Sequence, residues 1–219
     1  NGFSQLATFV SVNINSNGTP RVATYRINAP GGAWDLLDNG TYSILLQSNQ
    51  VSDTSNNFIP ASTLGSFAVQ IADSSAPSAS LAASSITTAG ASSASFTVTY
   101  SDNVAIKFST IDSSDILVTG PNNFSQVATL VGIDVSSDGT PRTATYKITA
   151  PGGTWDIPDN GLYSIVLQAN QVTDTSSNAA PSGPLGSLQV NIADVGIPSA
   201  SANVANITPA IDGTASFSV

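Results

Sequence analysis

The chain has 219 residues and a formal net charge of -9, with five Lys and Arg in total, no histidine and no cysteine. Arg21, Arg26, Lys107, Arg142 and Lys147 are too few and too scattered to neutralise a run of phosphates, which excludes nucleic acid and anionic membranes as partners. The missing histidine removes the usual general base and transition-metal ligand, and the missing cysteine removes disulfides and thiolate metal sites.

All 14 acidic residues are Asp, and the polar remainder is mostly Ser, Thr, Asn and Gly. Such a composition favours strands and turns over helices, and 41% hydrophobic residues is enough to build a core. No apolar run reaches membrane-spanning length, so this segment is not expected to insert into a bilayer. The first residues show no basic-then-apolar pattern, so any targeting segment is expected outside this stretch.

In chain order, turn signals come first at Asn17-Gly18, Pro30-Gly31-Gly32 and Asn39-Gly40. Asn13-Ile14-Asn15-Ser16-Asn17-Gly18 has the spacing of an EF-hand start, but its twelfth position is Thr24 where a bidentate Glu belongs; the counterpart from Asp134 ends on Thr145. Both are read as hairpin turns. After Asp73 a Ser/Ala/Pro stretch marks a boundary. Strands are then predicted near 78–87, 93–101, 114–119, 126–135, 142–149, 161–172 and 186–193. Phe96, Val98 and Tyr100 alternate with Ser95, Thr97 and Thr99, and Leu188, Val190 and Ile192 with Ser187, Gln189 and Asn191: one face in, one face out. Asp138-Gly139 supplies a further hairpin signal.

One internal period runs through the chain. Phe3-Ser4-Gln5 returns as Phe124-Ser125-Gln126, an offset of 121 residues, and the register never slips. Thr19-Pro20-Arg21 matches Thr140-Pro141-Arg142, Trp34-Asp35 matches Trp155-Asp156, and Ile71-Ala72-Asp73 matches Ile192-Ala193-Asp194. Pro198-Ser199-Ala200-Ser201 and Ala215-Ser216-Phe217 repeat Pro77 to Ser80 and Ala94 to Phe96. An ungapped match of this extent is a duplication of a whole domain. The expected organisation is residues 1–73 as the C-terminal part of one repeat, 74–194 as a complete repeat, and 195–219 as the N-terminal part of a third. Seven strands in about 100–120 residues is the size of an immunoglobulin-like sandwich. The predicted fold class is therefore all-β, with tandem immunoglobulin-like β-sandwich repeats of about 121 residues.

Asp38-Asn39-Gly40-Thr41-Tyr42 and Asp159-Asn160-Gly161-Leu162-Tyr163 resemble the tyrosine corner before strand F of immunoglobulin domains, where the hydroxyl bonds back to nearby backbone. Ile44 and Ile165 stand where that family has its cysteine. With the Ser-Asp-Asn turn at 101–103, the Val-Thr-Asp-Thr-Ser-Ser-Asn turn at 172–178 and the Ile-Ala-Asp linker, the repeat is similar to the bacterial Ig-like tandem repeats of large secreted adhesins and biofilm-type surface proteins. In those repeats calcium stiffens the linkers. By immunoglobulin topology the resemblance implies a calcium site at the linker and loop end, with Asp102, Asn103, Asp174, Asn178 and the linker residue Asp73 as oxygen donors, faced by Asp35 and Asp38 of the preceding repeat. The competing reading is that these Asp and Asn side chains bond local backbone in turns.

Three other constellations carry reactive or aromatic groups. Asp112 with Asp115 is spaced as a pair of carboxylates, but a narrow sandwich offers no cleft in which one would act as a glycosidase acid. The serines have no histidine or suitably placed lysine to activate them. Trp34 and Trp155 invite sugar stacking, against the simpler role of plugging the end of a sandwich beside Pro-Gly-Gly. The expectation is a non-enzymatic, extracellular structural repeat, the stalk or spacer of a bacterial surface adhesin, whose partners are neighbouring repeats. Two alternatives stand beside it: a subunit of a self-assembling extracellular filament, with identical chains as partners, and a carbohydrate-binding module that takes surface glycans.

Overall fold

Alternating apolar and polar residues fold into strands throughout the computed structural model, which describes residues 2–201. The chain divides into two compact units, 1–75 and 76–219. The predicted third repeat is represented by residues 195–201, which adopt no regular secondary structure, while its positions 202–219, including Ala215-Ser216-Phe217, lie outside the described residues.

Unit 1 holds β1 (Thr8–Val12) and β2 (Ala23–Arg26), paired antiparallel, and β3 (Gly40–Leu46) and β4 (Ser62–Val69), likewise paired. Unit 2 holds β5 (Ser78–Ala82), β6 (Ser93–Ser101), β7 (Ile116–Thr119), β8 (Ser125–Val127), β9 (Thr129–Ile133), β10 (Arg142–Thr149), β11 (Gly161–Leu167) and β12 (Gly183–Val190). These form two four-stranded antiparallel sheets, ordered β5-β6-β10-β9 and β12-β11-β7-β8. The protein is all-β, with short 3₁₀ turns between strands. Among the described residues no helix is long and apolar enough to cross a membrane.

The core of unit 2 lies between its sheets. Phe96, Val98 and Tyr100 from β6 and Tyr146 and Ile148 from β10 meet Ile116 and Val118 from β7 and Tyr163, Ile165 and Leu167 from β11, all buried. Each such side chain contributes about 1.5–3 kcal/mol on burial. The alternation anticipated from the sequence is present, since Ser95, Thr97 and Thr99 lie on the more exposed face of β6.

Two predicted strands are each divided between the sheets. The stretch 126–135 becomes β8, paired with β7, and β9, paired with β10. The crossing falls at Ala128, which is fully buried and donates its N–H to the Ile116 carbonyl at 2.8 Å. A small residue there lets the backbone pass through the rim of the sandwich. The stretch 78–87 pairs with β6 only as far as Ala82; Ile86 then forms a parallel bridge to Val190 in the other sheet. Period-two alternation marks strands but not the sheet each joins, because both sheets present their apolar faces to one core.

Elements of the two units recur at the same offset of 121 residues: β3 and β11 share the Gly-x-Tyr-Ser-Ile pattern, and the 3₁₀ turns Pro30–Gly32 and Leu36–Asp38 match Pro151–Gly153 and Ile157–Asp159. Unit 1 nevertheless buries almost nothing. Among residues 2–75 Asp38 alone is buried.

Candidate functional site

The Asp/Asn-rich loops of unit 2 gather at one end of its sandwich. Ile106, fully buried, bridges to both Gly139 and Asp174, and the Thr175 N–H donates to the Ala105 carbonyl at 3.0 Å. This draws the loop after β6 against the loop after β11 and sets a carboxylate oxygen of Asp102 within 4.8 Å of one of Asp174. Two oxygens that share one calcium, each about 2.4 Å from it, stand no farther apart than that.

The two carboxylates are differently engaged. Asp174 Oδ1 accepts from the N–H groups of Ser176 (2.9 Å) and Asn178 (2.8 Å), and Oδ2 accepts from Asn178 Nδ2 at 2.7 Å. This is a closed Asx loop. The same loop stands in unit 1, where Asp53 holds Ser55 and Asn57 in the same way and the Asn57 amide side chain lowers the Asp53 carboxyl below its usual value. Asp102 is open by comparison. Its Oδ2 accepts from Val104 and Ala105, while Oδ1 is buried without a hydrogen-bond partner. A buried carboxylate oxygen without a donor is the feature here that fits a hard cation. Asn103 is exposed in the same turn.

The remaining anticipated donors lie in unit 1. Asp73 Oδ1 caps the Ser75 N–H at 3.1 Å, as Asp194 caps Gly196 at 2.9 Å. Asp35 and Asp38 form a capping box: Asp35 Oδ1 accepts from Leu37 N–H at 2.9 Å and Asp38 Oδ2 accepts from Asp35 N–H at 3.1 Å. Both carboxylates are thus engaged by the turn they sit in.

The tyrosine corners are formed. Tyr42 donates to the Asp38 carbonyl at 2.9 Å and Tyr163 to the Asp159 carbonyl at 3.0 Å. Burial, reinforced by the charges of Asp159 and Asp156, raises the Tyr163 hydroxyl to about 12. Trp155 is fully buried, edge-on to Tyr163 with ring centres 5.3 Å apart, whereas Trp34 is 37% exposed and packs edge-on to Tyr42 at 5.5 Å.

Asp112 and Asp115, the pair of carboxylates spaced three apart, are joined through the Asp112 backbone N–H. Asp115 Oδ2 accepts from the Asp112 N–H at 2.9 Å and from the Tyr146 hydroxyl at 2.6 Å, and Tyr146 in turn meets the Tyr100 hydroxyl at 3.1 Å. The Asp115 side chain is fully buried, its Oδ1 has no hydrogen-bond partner, and burial pushes its carboxyl up to about 6, against the pull of the Tyr146 hydroxyl and the Asp112 N–H. Sequence reasoning had not assigned this core triad; the one signal was an Asp directly before Ile116-Leu117-Val118.

A second unassigned group is Arg142, and with it Arg21. Arg142 donates to the carbonyls of Ser137, Asp138 and Pro141 at 2.7–2.8 Å, and Arg21 to Ser16, Asn17 and Pro20 at 2.8–2.9 Å. The guanidinium lies over Gly139 or Gly18, whose positive φ and crowding against it both require glycine. The recurring Gly-Thr-Pro-Arg was the visible trace of this lock. Neither a known protein family nor any curated protein or solved structure matches the chain.

Proposed function

We propose that this chain is a non-catalytic structural segment of an extracellular bacterial surface protein, a stalk or spacer built from tandem immunoglobulin-like repeats. The observation that carries the reading is the unbroken 121-residue register, in which the arginine lock, the Asx loop and the tyrosine corner all return in place. Repetition of shape-fixing devices without any repeated reactive group suits a part that supplies length. The strand orders β5-β6-β10-β9 and β12-β11-β7-β8 support an immunoglobulin-like sandwich, since they correspond to A-B-E-D and G-F-C of that fold with β8 as an added edge.

In this reading calcium stiffens the array, held at the loop end of unit 2 by Asp102 and Asp174. A second reading is a self-assembling filament, in which strands of identical chains pair with one another.

The test is to extend the chain by one, two and three further 121-residue repeats and measure length by electron microscopy with calcium and with chelator. A stalk lengthens by a constant step of about 40 Å per repeat, the length of a nine-residue strand with its loops. A calcium role predicts that the chelator bends or shortens it and that Asp102→Asn does the same. Lateral bundles or fibres at every length would instead favour the filament, and no regular step would sink the array.

A further inference from the structure

The two sheets of unit 2 turn different faces to solvent. On β7, Leu117 stands between the fully buried Ile116 and Val118, and on β11 Val166 stands between the buried Ile165 and Leu167, so both point outward. Leu117 pairs with Val127 of β8 on one side and with Val166 on the other, and Val166 pairs with Pro184 of β12. Residues directly opposite one another share a face, so these four form one apolar row across the whole sheet. Val127 is 46% exposed, and Leu162, farther along β11 on the same face, is 58% exposed. Next to the apolar row runs a row of hydroxyls, Ser125, Thr119, Ser164 and Ser187.

The other sheet presents threonines at its outward positions on β6 and β10, with Lys147 following them. By contrast, no residue of β7, β8, β11 or β12 is charged, in a chain of net charge -9. A second copy of this face therefore meets no like charge and leaves no carboxylate to desolvate, whereas packing through the threonine face would gather the lysines of both copies.

We propose that the outward face of the β12-β11-β7-β8 sheet is a self-association surface whose partner is the same face of a second copy of this chain. A two-fold axis lying in the contact plane along the strands lays apolar row on apolar row and hydroxyls on hydroxyls, with Val166 of each copy against Leu117 of the other. Aligned packing of this kind is how two sheets ordinarily meet face to face.

The size of the face sets the strength of the contact. Strands about 4.8 Å apart and about seven residues long make a face of roughly 300–400 Å², less than half of the roughly 800 Å² that each partner of a stable complex buries. One pair of faces is a weak contact, with a Kd of roughly 0.1–1 mM. In the array proposed above the face recurs, since Val127 and Val166 return as Leu6 and Leu45 at the 121-residue offset, aliphatic in both places. Contacts that are weak singly then add along two aligned chains. The inference stands on the sheet of unit 2 and goes beyond the stalk reading.

The experiment is sedimentation equilibrium of the intact chain at about 0.15 M salt, which screens its net negative charge. The expected result is a reversible dimer in the stated range. The double variants Leu117→Lys with Val166→Lys and Leu117→Glu with Val166→Glu should each associate at least about tenfold more weakly, and an equimolar mixture of the two should dimerise again. Near-UV circular dichroism, to which the enclosed Trp155 contributes, checks that both are folded. Ser80→Lys, on the exposed face of β5 in the other sheet, should leave the dimer as it is. Should the central pair not tolerate charge, Val127→Lys on the edge strand reads the same contact, with an expected loss of about fivefold.

A chain that stays monomeric at roughly 1 mM overturns the proposal. So does a dimer that survives the charged variants, a mixture of folded variants that does not re-associate, or an equal loss on Ser80→Lys. A dimer in a protein whose extended chains show no regular step drops the array alone; a regular step without a dimer drops this inference alone.

Discussion

Residues 40–46 and 161–167 carry nearly the same sequence, Gly-Thr-Tyr-Ser-Ile-Leu-Leu and Gly-Leu-Tyr-Ser-Ile-Val-Leu, and both are seven-residue strands with an antiparallel partner and a bulge at the same place. In unit 2 the Tyr, Ile and final Leu are buried; in unit 1 none is. Hairpin, corner and bulge thus form from local sequence and a single partner strand, whereas burial needs β6 and β7. Local devices set the shape of the strand, and the opposing half of the sandwich supplies most of its stability.

The largest test of that division is Trp155→Ala against Trp34→Ala. The first should cost about 3–5 kcal/mol, because it empties a fully enclosed site, and the second under about 1 kcal/mol. Urea unfolding followed by circular dichroism measures both, and equal losses would break the comparison.

Next comes pH. The folded Asp115 carboxyl sits near 6, above the usual 3.8, so the folded unit holds its proton more tightly than the unfolded chain does. Its contribution is full below about pH 4 and is lost as pH rises through 6, on the order of 3 kcal/mol by pH 7.5. Asp115→Asn should remove that slope from the urea midpoint between pH 4 and 7.5; identical slopes in both proteins would show that Asp115 is not the group responsible. Unit 1 contains no counterpart of Asp115, so Tyr25→Phe should leave the slope as it is.

Smaller effects follow. Tyr163→Phe should cost about 1–1.5 kcal/mol through the lost corner bond, and Tyr42→Phe, on a more exposed ring, less than half as much, read as faster amide exchange around 38–42. The smallest prediction reverses the pattern. Arg21→Lys and Arg142→Lys should each cost about 0.5–1 kcal/mol locally, alike in both units, because the lock of unit 1 is as complete as that of unit 2 although no core lies beneath it. A loss confined to Arg142→Lys would show that the lock depends on packing after all.

The strands were legible because alternation is strict where one face is buried, and the period because its register holds without a gap. The sheet switches at Ala128 and Ile86 were not, since a crossing residue keeps the apolar-polar rhythm on both sides. At the loop end, sequence and topology pointed to Asp102 and Asp174, and both are there, within 4.8 Å. That Asp174 accepts three hydrogen bonds within its own loop while Asp102 retains an oxygen without one is a matter of turn geometry, to which residue type is blind. Asp115 was hidden for a similar reason: its partner Tyr146 is 31 residues away, on a strand of the opposite sheet.

The arginine locks carry a consequence for salt, acid and proteolysis. Each guanidinium is satisfied by three peptide carbonyls instead of a carboxylate, so neither brine nor acid has an ion pair to dissolve at these hairpins. The same grip withholds Arg21 and Arg142 from any protease that must swallow an extended arginine into a deep pocket, leaving Arg26, Lys107 and Lys147 as the basic side chains not held in such a lock. A chain with few cations has folded two of them into its own turns, where a digestive enzyme would have to unfold the hairpin before it could cut.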